Sequence, residues 1–246
     1  MPSSPAVPVC APRGFVTTRW SLVLAAGRKG GTKEGHRALS ELCEIYWYPV
    51  YTFVRRRGHP EDEARDLTQG FFTRLLEKND LEDAKPSKGR FRAWLRQSVK
   101  NYLTNEWDRE RALKRGGAQV RFSLQEAEDA LNWEAASGLT PERAFDRSWV
   151  ERLLRHVLAT LGEEYERDGN GPRFEQLKKS LTGEEGDSYE HIASELGMTE
   201  AAVRTAAYRL RKRFRTLLLE EISHTVEHPE DVADELRFLI SVFEDV

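Results

Sequence analysis

The chain has 246 residues, 32% of them charged, and a formal net charge of -3. A balance this close to neutral excludes a uniformly basic nucleic-acid coat, so a polyanionic partner must be met by a local patch. Cys10 and Cys43, the two cysteines, exclude a disulfide framework and a cysteine-built zinc site; no apolar run approaches a membrane span, and the opening MPSSPAVPVCAPRGF lacks the basic start and apolar stretch of a secretory signal. The expectation is a cytoplasmic protein without membrane insertion, long enough for two small domains.

Residues 1–17, rich in Pro, Ser and Ala, read as a disordered tail. Trp20, Leu22, Val23 and Leu24 predict a short helix, and GRKGGTKEG a flexible joint. From His36 to Arg57, Leu39, Leu42, Cys43, Tyr46, Val50, Phe53 and Val54 recur at helical spacing, with Pro49 as an expected kink and Gly58 as the stop. Pro60 and the acids 61–63 start a second helix with Ala64, Leu67, Phe71, Phe72 and Leu75 on one face. A third runs from about Arg90 to Arg111, with Phe91, Trp94, Leu95, Tyr102 and Leu103 inward and Arg92, Arg96, Lys100, Asn101, Asn105 and Arg109 outward.

Residues 112–139, with Gly116 and Gly117 and scattered acids, read as an interdomain linker holding one weak strand candidate at Gln119 to Leu124. Thr140, Pro141 and Glu142 start a helix that carries Phe145, Trp149, Leu153, Val157 and Leu161. After DGNGP and a short helix from Phe174 to Leu181 comes SYEHIASELGMTEAAVRTAAYRLRKRF, residues 188–214. Ser188 caps one short helix, Gly197 turns the chain, and Thr199 caps a second helix whose Val203, Ala207, Leu210 and Phe214 form a buried stripe. This is helix-turn-helix spacing, and the exposed arginines give it the sign needed for a DNA groove; a plain helical hairpin in a core is the competing reading. A last acidic helix follows, with Val232, Leu236, Leu239, Ile240 and Phe243 on one side, for which simple packing on its own domain is preferred over shielding of the basic spur. The fold class is all-α.

Charge is strongly segregated. Residues 85–121 hold eleven Lys or Arg against three acids, and residues 220–246 hold nine acids against Arg237 alone. Catalysis is poorly supported: no carboxylate pair is placed for burial, no His or Cys set has ligand spacing, and no glycine loop has P-loop order. No cofactor, metal or catalytic residue is expected. The third helix interleaves Phe91, Trp94, Tyr102 and Trp107 with basic residues, the mixture that stacks and neutralises a single strand, although Trp94 and Tyr102 fit a core equally well.

Three stretches together resemble bacterial RNA polymerase sigma factors of the sigma-70 family, extracytoplasmic-function (ECF) subgroup. DLTQGFF, residues 66–72, is similar to that family's DLVQEVF, the helix that grips the clamp coiled coil; FRAWLRQSVKNYL, 91–103, to FRAWLxRIARNLL, the strand-opening segment; and SYEHIASELGMTEAAVRTAAYRLR, 188–211, to SYEEIAEILGISEGTVKSRLxRAR, the duplex reader. The resemblance spans His36 to Arg111 and Thr140 to Leu219. It implies a polymerase- and -10-reading domain over 18–111, a linker over 112–139, a -35-reading domain over 140–222, and an added acidic helix over 223–246.

It also implies roles. Asp66, Gln69 and Phe72 would contact core RNA polymerase, whose clamp coiled coil and flap are the implied partners; Arg92, Arg96, Lys100, Asn101 and Asn105 would bind the -10 element as a melted strand. Thr199, Ala202, Arg204, Thr205, Tyr208, Arg209 and Arg211 would bind the -35 element as duplex promoter DNA. An anti-sigma factor or another regulator is a further partner of this kind. Two departures stand out: Gly70 where the family has Glu, and Ala206 where an Arg is common. A free-standing helix-turn-helix regulator, independent of polymerase, is the alternative function.

Overall fold

The structure is a computed structural model that describes residues 20–27, 33–78, 80–114, 138–182 and 188–244. Its elements are helices and short 3-10 turns, with no strand among the described residues. The expected tail, most of the linker and the strand candidate at 119–124 lie outside the described residues.

Four helices make the first half: α1 (Trp20–Ala26), α2 (Lys33–Arg55), α3 (Glu61–Lys78) and α4 (Phe91–Lys114). The amphipathic spacing in α2 puts Leu42, Ile45, Tyr46, Val50, Phe53 and Val54 at 3% exposure or less. The helix runs unbroken through Pro49, whose missing N–H deprives the Ile45 carbonyl of its usual partner four residues on. Gly58, with φ at +90°, ends the reversal into α3. Phe71 and Phe72 of α3 pack inward, and Phe91 of α4 meets Trp20 and Tyr46 edge-on at 6.1 and 5.4 Å.

The second half holds α5 (Pro141–Arg167), the short α6 (Gly171–Leu177) and α7 (Lys179–Thr182), then α8 (Tyr189–Leu196), α9 (Glu200–Ser223) and α10 (Val232–Glu244). Thr140 caps α5 by accepting a hydrogen bond from the Arg143 amide, and Pro141 sits in the first turn where its missing N–H costs nothing. Phe145, Leu153, Val157 and Leu161 are fully buried along one stripe.

The two halves are packed together. Phe145 of α5 stacks on Tyr46 of α2 at 6.3 Å and meets Phe53 edge-on at 6.4 Å, so both sides of the linker contribute to one continuous core. Arg152 of α5 donates to the Glu44 carbonyl of α2, and the Trp20 amide of α1 donates to the His224 carbonyl beyond α9. Each aromatic side chain buried there contributes roughly 1.5–3 kcal/mol of transfer free energy.

The face of α10 that packs differs from the one its apolar pattern suggested. Leu239 and Val242 are buried, but Ile240 is 50% exposed and Glu235 is wholly buried. An acid in the packed face must be compensated by charge from elsewhere, and it is.

Candidate nucleic-acid interface

In α8 and α9 local chemistry sets the geometry. The Ser188 hydroxyl oxygen accepts from the His191 amide, satisfying an orphan donor at the start of α8. Gly197 takes a left-handed conformation, φ 61° and ψ 33°, and the Met198 amide folds back onto the Ala193 carbonyl at 2.9 Å, a closure of the Schellman type. Two residues later Thr199 caps α9 by accepting from the Ala202 amide at 3.3 Å. The chain is thereby turned sharply, and Val203, Ala207 and Leu210, all at 0% exposure, pack α9 against Ile192 and Ala193. The expected fourth member of the stripe, Phe214, is half-buried.

What remains outside on α9 is basic. Arg204, Thr205, Tyr208, Arg209, Arg211, Lys212 and Arg215 are exposed, and Ala202 is half-buried. Arg204 is held in place by Glu200, with Nη2 2.6 Å from Oε1, and lies over the Tyr189 ring at 5.5 Å. Arg211 reaches the Tyr189 hydroxyl at 3.5 Å, and Thr205 donates to the Ala201 carbonyl. Arg213 points elsewhere: it donates two hydrogen bonds to Glu164 of α5, a bidentate pair that ties α9 to α5. Beside them an open cleft of about 750 Å³ is lined by Tyr165, Asn170, Ala202, Thr205 and Arg209.

On α3, Asp66 and Gln69 are exposed at the rim of a second open cleft of about 460 Å³, which also touches Gly70, Arg74, Tyr102 and Arg109. Phe72, expected on the same contact surface, is 6% exposed and belongs to the core, so its side chain shapes that surface from below. Gly70 is explained sterically: a β-carbon there would lie 2.5 Å from the Tyr102 hydroxyl.

The α4 residues separate into two groups. Lys100, Asn101 and Asn105 are exposed, as expected, and Asn101 accepts from the Gln97 side chain. Trp107 is 55% exposed with the Arg111 guanidinium 4.3 Å over its ring, whereas Tyr102 is in the core and Trp94 is half-buried against Phe91. Arg92, expected to face out, is instead 5% exposed, and Arg96 is half-buried. Their guanidinium groups meet carboxylates of the second half: Arg92 pairs with Glu235 and Arg96 with Asp146. Burial pushes the Asp146 carboxyl above its ordinary value, against the pull of Arg96 and Arg92. Glu235 and Asp146 were missed from the sequence; the signal for Glu235 was an acid standing between Val232 and Leu239 at helical spacing.

Among the described residues no cluster of His, Cys, Asp or Glu could hold a metal, and no helix is long and apolar enough to cross a membrane. Residues 46–113 match the family model Sigma-70 region 2. The chain is similar to the ECF RNA polymerase sigma factor SigE of Mycolicibacterium smegmatis, 26% identical over 187 residues that make up 76% of this chain. The chain is thus similar to sigma-70 factors, most directly over residues 46–113.

The match spans 64% of that relative's length, short of two thirds. No solved structure matches the chain. The region-2 match begins in the middle of α2 and ends at the last turn of α4. It therefore takes in the exposed edge at Asp66 and Gln69 and all the α4 residues described above.

Proposed function

We propose that this protein is a sigma factor that binds core RNA polymerase and directs promoter-specific initiation, reading the -35 element as duplex and the -10 element as a melted strand. One observation carries the reading. The region-2 match contains both the exposed Asp66 and Gln69 edge and the exposed Lys100, Asn101 and Asn105 face, and a capped helix-turn-helix follows on the same chain. Asp66 and Gln69 present a carboxylate and an amide to the clamp coiled coil of the polymerase. Amide side chains such as those of Asn101 and Asn105 can hydrogen-bond the edges of an unstacked base, and Lys100 neutralises the adjoining phosphate.

On α9 the N-terminal turn around Thr199 and Ala202 is the part that enters a major groove, with Arg204, Thr205 and Tyr208 toward base edges and Arg209 and Arg211 toward phosphates. The protein does no covalent chemistry in this scheme; polymerase supplies the catalytic metal. Its work would be performed in the cytoplasm, and a protein regulator such as an anti-sigma factor is compatible with the same surfaces.

Run-off transcription with core polymerase on templates selected by the holoenzyme tests this directly. Promoter-dependent product is expected, together with co-elution on gel filtration; absence of both would reject the proposal. Changing Asp66 and Gln69 to Ala is expected to abolish co-elution while sparing duplex binding. A free-standing regulator would instead keep its full activity in that double variant.

A further inference from the structure

The N-terminal turn of α4 is clamped by the C-terminal half of the chain. Arg92 lies 143 residues from Glu235 in sequence, yet its Nη2 donates to Glu235 Oε2 at 2.9 Å and its Nη1 donates to Oε1. Arg90 Nε is 2.5 Å from the same Oε2, and Arg96 donates to Asp146 of α5. The Arg92 guanidinium is sandwiched between Trp149 of α5, at 5.0 Å, and Phe238 of α10, at 4.7 Å. Glu235 is at 0% exposure and Arg92 at 5%.

A guanidinium offers a planar fork of donors that fits a carboxylate or a phosphate equally well. Here Arg92 and Arg96 of the segment proposed for the melted strand, with Arg90 just before it, are occupied by two carboxylates, one of them from the acidic C-terminal stretch. We propose that α10 and the start of α5 form an intramolecular latch, with Glu235 of α10 and Asp146 of α5 taking the place of DNA phosphates on Arg90, Arg92 and Arg96, so that the free protein is closed to single-stranded DNA until the two halves separate. This deepens the function proposed above and rests on it.

The contact has the character of a releasable catch. Buried ion pairs return little net stability, because desolvation consumes most of the Coulomb gain, but they fix one docking arrangement strongly. The Trp149 indole N–H beneath Arg92 is buried without a hydrogen-bond partner among the described residues, which costs the closed arrangement further. The duplex-reading face of α9 is left uncovered by α10: Arg204, Arg209 and Arg211 stay exposed. The latch therefore acts on strand capture and not on duplex reading.

The test uses the full chain and a fluorescein-labelled single-stranded oligonucleotide of mixed sequence, since phosphate contacts do not depend on sequence. Each phosphate contact on a single strand contributes about 0.7 to the slope of log affinity against log salt, so freeing Arg90 and Arg92 in Glu235→Gln should steepen it by about 1.4. Asp146→Asn, which releases chiefly Arg96, should steepen it by about 0.7, and keeps the measurement possible if Glu235→Gln does not fold. A second readout is the distance between spin labels at Gln97 and Ile240, in a chain whose two native cysteines are changed to Ser; it should lengthen when core polymerase is added.

Unchanged salt slopes in folded variants, or an unchanged label distance in a chain that co-elutes with polymerase, overturn the latch and leave the sigma-factor reading standing. Failure of the wild-type chain to bind core polymerase or to support transcription overturns both.

Discussion

The hydroxyl of Tyr102 occupies the space that a side chain at Gly70 would need, 2.5 Å from the position of its β-carbon, while the Tyr102 ring carbon behind it is 3.6 Å away. The Tyr102 ring is 8% exposed and packed edge-on against Phe71 at 5.7 Å, which opposes its swinging aside. Gly70→Ala should therefore destabilise the protein by about 1–3 kcal/mol through overpacking, despite a gain in helix propensity. In a Tyr102→Phe background the obstruction is gone, and the same change should be neutral or stabilising by up to about 1 kcal/mol. Thermal melts of the four proteins in a double-mutant cycle check this, and additivity would contradict it.

Thr199 carries two duties, as the cap of α9 and as a residue assigned to the groove. Thr199→Ala should lower stability by about 1 kcal/mol through loss of the bond to the Ala202 amide, a fall in melting temperature of about 2–4 °C. Thr199→Ser should recover the stability. Calorimetry and duplex-binding titrations on both variants separate the cap from the contact.

Gly197 tolerates its left-handed conformation because it has no β-carbon, and open space surrounds it. Gly197→Ala should cost about 1 kcal/mol from backbone strain alone, and Gly197→Asn distinctly less. Denaturant melts rank the three chains; equal midpoints would show that the turn is not strained.

Cys43 is a half-buried thiol on α2 that burial, aided by the neighbouring Glu44 charge, pushes up to about 11. Its native proton is held more tightly than in the unfolded chain, so its contribution to stability is present below the unfolded value and lost as pH rises through about 11. At mildly alkaline pH the native thiol should react with iodoacetamide about a hundredfold more slowly than in urea, in proportion to the thiolate fraction. Peptide mass spectrometry resolves it from Cys10.

Glu164 titrates with the opposite sign. The hydrogen bonds from Arg213 hold its carboxyl below the usual glutamate range, against a smaller upward push from burial. That stability is present above the unfolded value, roughly 4.3, and is lost as pH falls through the lower native value. The melting temperature of the wild type should exceed that of Glu164→Gln at neutral pH and converge with it in acid. Parallel curves from neutral to acid pH would show that Arg213 gains nothing from the pair.

The amino-acid sequence by itself determined the helices and the local geometry of the helix-turn-helix. Ser188, Gly197 and Thr199 act on neighbours three or four residues away, and Val203, Ala207 and Leu210 need only the helical repeat to face inward, so short-range chemistry was enough. Asp66 and Gln69 were legible for the same reason, as the outer side of a helix whose inner side is apolar. Only the tertiary structure decided what lies over α4. Periodicity assigns Arg92 to an outer face because it knows one core, but α5 and α10 bring a second surface against that face, and a buried guanidinium is stable there only beside Glu235 and between two aromatic rings. Gly70 belongs to the same class: its reason is the hydroxyl of Tyr102, 32 residues away along the chain and in contact across the fold.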